Sequence, residues 1–284
     1  MNIKMICSDL DETLLNDQSV LSEKTAAVLQ KAMAENIFFV PVTGRHFFGI
    51  PQCVLSLPGL RFAVSSNGAQ IWDLAKRKKL FSAYFEKQSL EFLMDLANQA
   101  ESPFEIYQRD TMLMNTNFYE KLKRNPGSRV YLLNIFGDKA SVPDVKAHIE
   151  KDPYCVHKFL IRDLSPAKYY ELHEKVNNSG LAEAATSIEG IMEISPVGIN
   201  KGSALIYLCD LLNILPEQTV AFGDGVNDIP MFQTAGISVA VRNAPESVKE
   251  AADYITGSYI DGGPADYIEK YILQNTTEKE KNWM

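Results

Sequence analysis

The chain has 284 residues, 46% of them hydrophobic and 23% charged, too apolar a mixture for an intrinsically disordered chain. Its 16 glycines and 13 prolines are too few for a collagen-like or low-complexity chain, and the length fits one large domain or two smaller ones. A net charge of −8 argues against a surface that binds nucleic acid or an anionic membrane, and leaves open a small anionic substrate met by local positive charge.

In chain order, residues 3–7 form an apolar run short enough for a buried strand, cut by Asp9 too early for a secretory signal. A helix follows, with Ser22 as its N-cap, Val28, Leu29, Ala32 and Met33 on one face, and Asn36 at its stop. Ile37-Phe38-Phe39-Val40 is continuous and apolar, which suits a strand covered on both faces. Strand, helix and strand make a βαβ unit with a right-handed crossover, and Phe62-Ala63-Val64 repeats the strand type. The middle of the chain differs, with strands at Val130-Tyr131-Leu132-Leu133-Asn134-Ile135-Phe136 and at 159–161. Helices are expected there over 89–100, 142–150 and 166–177, the last capped by Ser165. This is a self-contained α+β pattern of about 100 residues, a domain's worth, set between α/β units. The α/β rhythm then resumes: a helix over 201–212, strands at 219–222 and 237–241, and a short helix over 228–234 between them. A helix opened by Pro245, a strand at 254–255 and a helix over 265–273 precede a polar tail. The expected organisation is therefore a core in two parts, 1–82 and 193–284, with 83–192 inserted.

No stretch reaches the roughly 18 consecutive apolar residues of a spanning helix. Cys7, Cys53, Cys155 and Cys209 are scattered without CxxC spacing, which speaks against structural zinc and for a cytoplasmic protein with free thiols. Cys7 and Cys209 read as small core hydrophobes.

The chemistry gathers after the strands. Asp9-Leu10-Asp11-Glu12-Thr13-Leu14 follows the first strand, and Gly223-Asp224-Gly225-Val226-Asn227-Asp228 follows a later one. Both place carboxylates at the carboxyl edge of a parallel sheet, where open α/β sheets bind ligands. The second segment is not a dinucleotide fingerprint, because Asp228 replaces the third glycine and would repel a pyrophosphate. Hard oxygen donors without Cys or His nearby favour Mg²⁺. Two carboxylates about 4 Å apart repel by roughly 4 kcal/mol at an effective dielectric of 20, so the cluster needs cations. Lys201, at a helix N-terminus where a cation is disfavoured, is the protein's own candidate. Thr43-Gly44-Arg45 supplies a hydroxyl, a glycine and a helix start that together can cradle an anion. No Walker A or GxSxG motif occurs.

Asp9-Leu10-Asp11-x-Thr13-Leu14, Thr43-Gly44-Arg45, Asn200-Lys201-Gly202 and Gly223-Asp224-x-x-Asn227-Asp228, in this order, resemble the haloacid dehalogenase-like superfamily over nearly the whole chain. The place of the insertion looks like that of a C2-type cap, and Ser66-Asn67-Gly68-Ala69 adds a likeness to the Cof subfamily of sugar-phosphate phosphatases. The resemblance implies a Rossmann-like parallel-sheet core with an inserted α+β cap, and a Mg²⁺-dependent phosphomonoesterase acting on small phosphorylated metabolites. It implies Asp9 as the nucleophile that becomes an aspartyl-phosphate, and Asp11 as general acid and then base. It implies Mg²⁺ on Asp9, the backbone carbonyl of Asp11 and Asp224, with Asp228 orienting that shell through water. Thr43, the Gly44 amide, Lys201 and Asn227 would bind the phosphoryl oxygens, and Arg45 would touch substrate or phosphate. The chain departs from the family at Glu12, where glycine is common. A phosphotransferase such as a sugar phosphomutase and a phospho-accepting regulatory module are the alternatives. The length and the Asp9/Asp11 pair count against the second. Arg109, Tyr119 and Arg129 read as ordinary cap surface rather than as specificity residues.

Overall fold

A computed structural model describes residues 2–124, 130–185 and 190–274. The first segment runs β1 (Met5–Ser8), α1 (Glu23–Ala34), β2 (Phe38–Pro41), α2 (Gln52–Leu55), β3 (Phe62–Ser65), β4 (Gln70–Asp73) and β5 (Lys78–Ser82). Then come α3 (Lys87–Gln99), β6 (Phe104–Gln108), β7 (Thr111–Asn115), α4 (Thr116–Arg124), α5 (Val130–Phe136), β8 (Ser141–Val142), α6 (Val145–Lys151), β9 (Val156–Ile161), α7 (Pro166–Asn178), β10 (Glu183–Ala185) and β11 (Met192–Ser195). The chain finishes with α8 (Lys201–Leu212), β12 (Thr219–Gly223), α9 (Ile229–Thr234), β13 (Ile237–Val241), α10 (Glu246–Glu250), β14 (Tyr254–Thr256), α11 (Gly263–Tyr267) and a π-helix over Ile268–Leu273.

These elements form two compact units. One comprises Met1–Gly44, Ile50–Leu80 and Asn200–Met284, the other Arg45–Gly49 and Phe81–Ile199. Against the division at 83–192 expected from sequence, the second unit extends to Ile199 and takes in the short stretch Arg45–Gly49.

The first unit is built on a five-stranded sheet of order β14-β13-β12-β1-β2, parallel throughout. Its central strands are buried along their length, as their unbroken apolar runs require. The capping signals are realised: the Ser22 and Ser165 hydroxyls accept from the N–H groups of Thr25 and Lys168. Phe62–Ser65 is a buried strand, as expected, and Val64 bridges Val42 in parallel just beyond β2. On its other side it pairs antiparallel with β4 and heads a three-stranded sheet, β3-β4-β5. Pro245 precedes the helix as its cap residue instead of opening it.

The second unit is a six-stranded sheet of order β10-β11-β9-β6-β7-β8, antiparallel except for the short β7–β8 pair. One face carries Phe104, Ile106, Phe159, Ile161 and Ile194 against α3, α6 and α7. The other carries Tyr107, Met112, Met114 and Leu160 against α4 and Phe136. This alternation is what a two-sided strand demands. Val130–Phe136 is a helix rather than the expected strand. Leu133 and Phe136, three residues apart, both pack into the second cluster, a helical spacing that a seven-residue apolar run conceals. All four cysteines are free, with Cys7 and Cys209 buried. Among the described residues no helix is long and apolar enough to cross a membrane.

Candidate active site

Asp9 directly follows β1, while Asp224 and Asp228 follow β12. The two strands are neighbours in the sheet, with Ser8 opposite Phe222, and the Asp9 N–H donates to the Phe222 carbonyl at 3.0 Å. Strand pairing alone thus brings together two acidic loops more than 200 residues apart in sequence. Oxygens of Asp9, Asp224 and Asp228 all lie within 4.8 Å of one another. Asp11, half-buried in the turn beyond Asp9, contributes no carboxylate to that group.

Lys201, the first residue of α8, is fully buried. Its Nζ lies 2.8 Å from Asp9 Oδ1 and 2.6 Å from Asp228 Oδ1. The helix start is closed by Asn200, whose side chain accepts from the Ser203 N–H at 3.0 Å while Ser203 Oγ accepts from the Asn200 N–H at 3.0 Å. Asp228 holds the cluster from beneath: its Oδ2 accepts from the N–H groups of Gly225 at 2.9 Å and Asp224 at 3.1 Å. A Cβ on Gly223 would sit 2.4 Å from the Asp228 carboxyl carbon, so only glycine leaves room for that carboxylate. Thr13 donates through Oγ1 to Asp224 Oδ1 at 2.7 Å and ties the first acidic loop to the second.

The charges do not balance. Burial is the main force pushing the Asp9 carboxyl up, to about 7, with Asp228 and Asp11 adding to it and Lys201 opposing. Asp224 goes up to about 9, again first through burial and then through Asp9 and Asp228. Burial by itself would lower Lys201, but Asp228 and Asp9 more than offset it and hold the ammonium charged. Fully ionised, the three carboxylates would outnumber the one lysine, and the raised acids answer that excess by holding protons. The donors are all oxygen, the set that suits a hard divalent cation such as Mg²⁺.

The remaining expected residues divide. Thr43 is buried, and its N–H donates to the Val64 carbonyl at 3.0 Å. No helix begins at Gly44: the chain continues as a bend into a short 3₁₀ turn, Phe47–Gly49, so the expected helix start is absent. Arg45 falls in the second unit, where its guanidinium donates to the Gly49 carbonyl at 2.8 Å. Asn227 is buried and donates through Nδ2 to Asn67 Oδ1 at 3.2 Å. Glu12 adopts a left-handed backbone, φ 54°, the conformation for which glycine is suited, and its carbonyl accepts from Asn243 Nδ2 at 2.9 Å. Arg109 pairs with Asp152 and Tyr119 donates to Asp138, both within the second unit. Arg129 lies outside the described residues. Thr13 and Asn67 join the site through contacts that their motifs, residues 9–14 and 66–69, do not spell out.

A family model described as haloacid dehalogenase-like hydrolase matches residues 6–268. Over 277 residues the chain is 29% identical to a 5-amino-6-(5-phospho-D-ribitylamino)uracil phosphatase of Bacillus subtilis, covering 96% of this chain and 97% of that one. It is 26% identical to a phosphatase of the same description from Escherichia coli, covering 96% and 97%. Among solved structures, a haloacid dehalogenase-like hydrolase from B. subtilis superposes with a TM-score of 0.81 at 25% identity, covering 95% of this chain and all of the other.

Proposed function

The chain belongs to the haloacid dehalogenase-like hydrolases, and from that premise we propose a Mg²⁺-dependent phosphomonoesterase of small phosphorylated metabolites, sugar or sugar-alcohol phosphates foremost, with Asp9 as its nucleophile. The observation that carries the reading is the buried, negatively unbalanced cluster of Asp9, Asp224 and Asp228 against the single cation Lys201. The substrate class follows the B. subtilis and E. coli relatives, whose named substrate carries its phosphate on a ribityl chain.

The cation would be held by Asp9, Asp224 and the carbonyl of Asp11. When bound it supplies Lewis-acid stabilisation and neutralises the phosphoryl group. The protein's own groups do the rest. Lys201, 2.8 Å from Asp9, favours the ionised carboxylate that a nucleophile must be. Asp9 attacks phosphorus, the bond from phosphorus to the ester oxygen breaks, and Asp11 gives that oxygen its proton. Asp11, now a carboxylate, takes a proton from water. The resulting hydroxide attacks phosphorus, releasing phosphate and restoring Asp9. Asp228 serves as an anchor, binding Lys201 with one oxygen and the amides of the Asp224 loop with the other. Thr43, Gly44, Lys201 and Asn227 would receive the phosphoryl oxygens, with Arg45 at the substrate.

The test is phosphate release from p-nitrophenyl phosphate and a panel of sugar and sugar-alcohol phosphates, with Mg²⁺ and with chelator. Turnover that depends on metal is expected. Turnover indifferent to chelator, or none on any ester, would overturn the reading. A phosphomutase would instead move the phosphoryl group to a second position on the sugar.

A further inference from the structure

We propose that Asn67 is a positioning residue that fixes the Asn227 carboxamide and the Thr43 loop for phosphoryl binding; this rests on the phosphatase reading of the site. Ser66, Asn67 and Gly68 form a tight 3₁₀ turn after β3 in which all three residues have positive φ, 53°, 54° and 103°. Two of the three carry side chains, and strain of this kind persists only where the surroundings over-determine it. The surroundings here are three loops of the candidate site. The Asn67 N–H donates to the Thr43 carbonyl at 3.0 Å. Its Oδ1 accepts from Asn227 Nδ2 at 3.2 Å. Gly68 packs so closely on the cap of α8 that a Cβ there would lie 2.3 Å from the Asn200 carbonyl oxygen, one residue before Lys201. The turn is thus a wedge touching the loops that carry Thr43, Lys201 and Asn227.

The orientation of Asn227 gives the wedge a chemical task. A carboxamide has two N–H donors and one carbonyl acceptor, and only the donors suit a phosphoryl oxygen. One Nδ2 donor is directed to Asn67, which leaves the second as the group that can meet an anion. Asn227 Oδ1 is buried with no hydrogen-bond partner among the described residues. Without Asn67 nothing else among the described residues holds Nδ2, and the carboxamide could turn its carbonyl towards the anion. A buried acceptor with no partner is costly. Its persistence shows that the amide is held from its nitrogen side.

The experiment uses the full-length protein with Mg²⁺. Asn67→Gly keeps the left-handed backbone, which glycine adopts freely, and removes only the carboxamide. Asn67→Asp keeps the acceptor and the tolerance for positive φ. Three readouts are taken: hydrogen exchange of the Asn227 side-chain N–H₂ by ¹⁵N NMR, KM and kcat with p-nitrophenyl phosphate, and inhibition by orthophosphate. With Asn67→Gly we expect rapid N–H₂ exchange, and KM and the phosphate inhibition constant raised roughly five- to tenfold, the worth of about one hydrogen bond, at near-constant kcat and thermal midpoint. Asn67→Asp retains the slow exchange. Asn67→Gly combined with Asn227→Ala is no worse than Asn227→Ala alone. Unchanged KM and inhibition constant in Asn67→Gly, or multiplying effects in the double variant, would overturn the proposal even if the amide exchange moved. Should the wild type hydrolyse no ester, the phosphatase reading fails by itself. Calorimetric titration of orthophosphate into wild type and Asn67→Gly then decides the Asn67 question, and equal binding, or none to either, overturns it.

Discussion

Both units of the molecule bury charge, and they do so in opposite ways. In the second unit two buried cations each have a carboxylate of their own: Lys158 Nζ lies 2.7 Å from Glu193 Oε1, and Arg162 pairs with Glu105. Glu105 and Glu193 both stand opposite Leu160 of β9, on strands either side of it, so the pairs form one neutral layer on the sheet. In the first unit Lys201 is, among the described residues, the one cation paired with Asp9 and Asp228, and Asp224 lies beside them. A closed pair costs desolvation and offsets it locally. An open cluster retains its cost until a ligand arrives. Burial of charge is therefore a weak sign of function in itself, whereas burial without balance is a strong one.

The sharpest way to break this contrast is at Asp9. Asp9→Asn removes the nucleophile with almost no change in volume and lowers the negative excess. Phosphate release should fall on the order of 10³-fold or more while the thermal midpoint holds or rises. A variant that kept its turnover would remove the open cluster from the chemistry. The complementary variant is Arg162→Met, which leaves Glu105 buried without its partner; a loss of about 3–5 kcal/mol should appear in denaturant unfolding. A change under about 1 kcal/mol would show that the second unit's layer is not balanced pair by pair.

Titration sharpens the contrast further. Asp9 and Asp224 have folded pKa values above the ordinary 3.8, at about 7 and about 9. For a raised acid, the stability its proton confers is fully present below the unfolded value and is lost as pH rises through the folded one. Melts of chelated protein should therefore decline between about pH 4 and pH 9, on account of the first unit. Added Mg²⁺ should flatten the decline, its stabilising effect growing with pH because the ligands must be deprotonated. Equal stabilisation at pH 5 and pH 8 would count against the cluster as the metal site. The smallest effect is expected at Glu12. Glu12→Gly relieves a left-handed backbone worth roughly 1 kcal/mol but loosens the unfolded chain, so the net change in the denaturant midpoint should be under about 1 kcal/mol.

Legibility followed the same division. The parallel strands could be read because residues buried on both faces must be apolar throughout, as in Phe38–Pro41 and Thr219–Gly223. Lys201 could be read because a cation at a helix N-terminus is a misfit, and its burial against two aspartates is the reason. Val130–Phe136 could not, since a short apolar run has no period long enough to separate helix from strand. Phe62–Ser65 could be read as a buried strand, but its antiparallel neighbour β4 could not, because burial does not encode the direction of a neighbour. The place of Arg45 and the task of Asn67 lay beyond reach for a different reason. One depends on which unit a five-residue stretch joins, the other on a hydrogen bond between residues 160 positions apart.

The position of β1 in its sheet bears on how the chain comes into being. One side of β1 pairs with β2, some 30 residues on, but the other side pairs with β12, with Met5 opposite Thr219. On a ribosome adding about 5–20 residues each second, that second edge waits on the order of 10–40 s for its partner. Met5–Ser8 is buried at every residue in the finished sheet, so for that interval an apolar strand edge is open to solvent and to other nascent chains. The Asp9 loop cannot meet the Asp224 loop until almost four-fifths of the chain has been made.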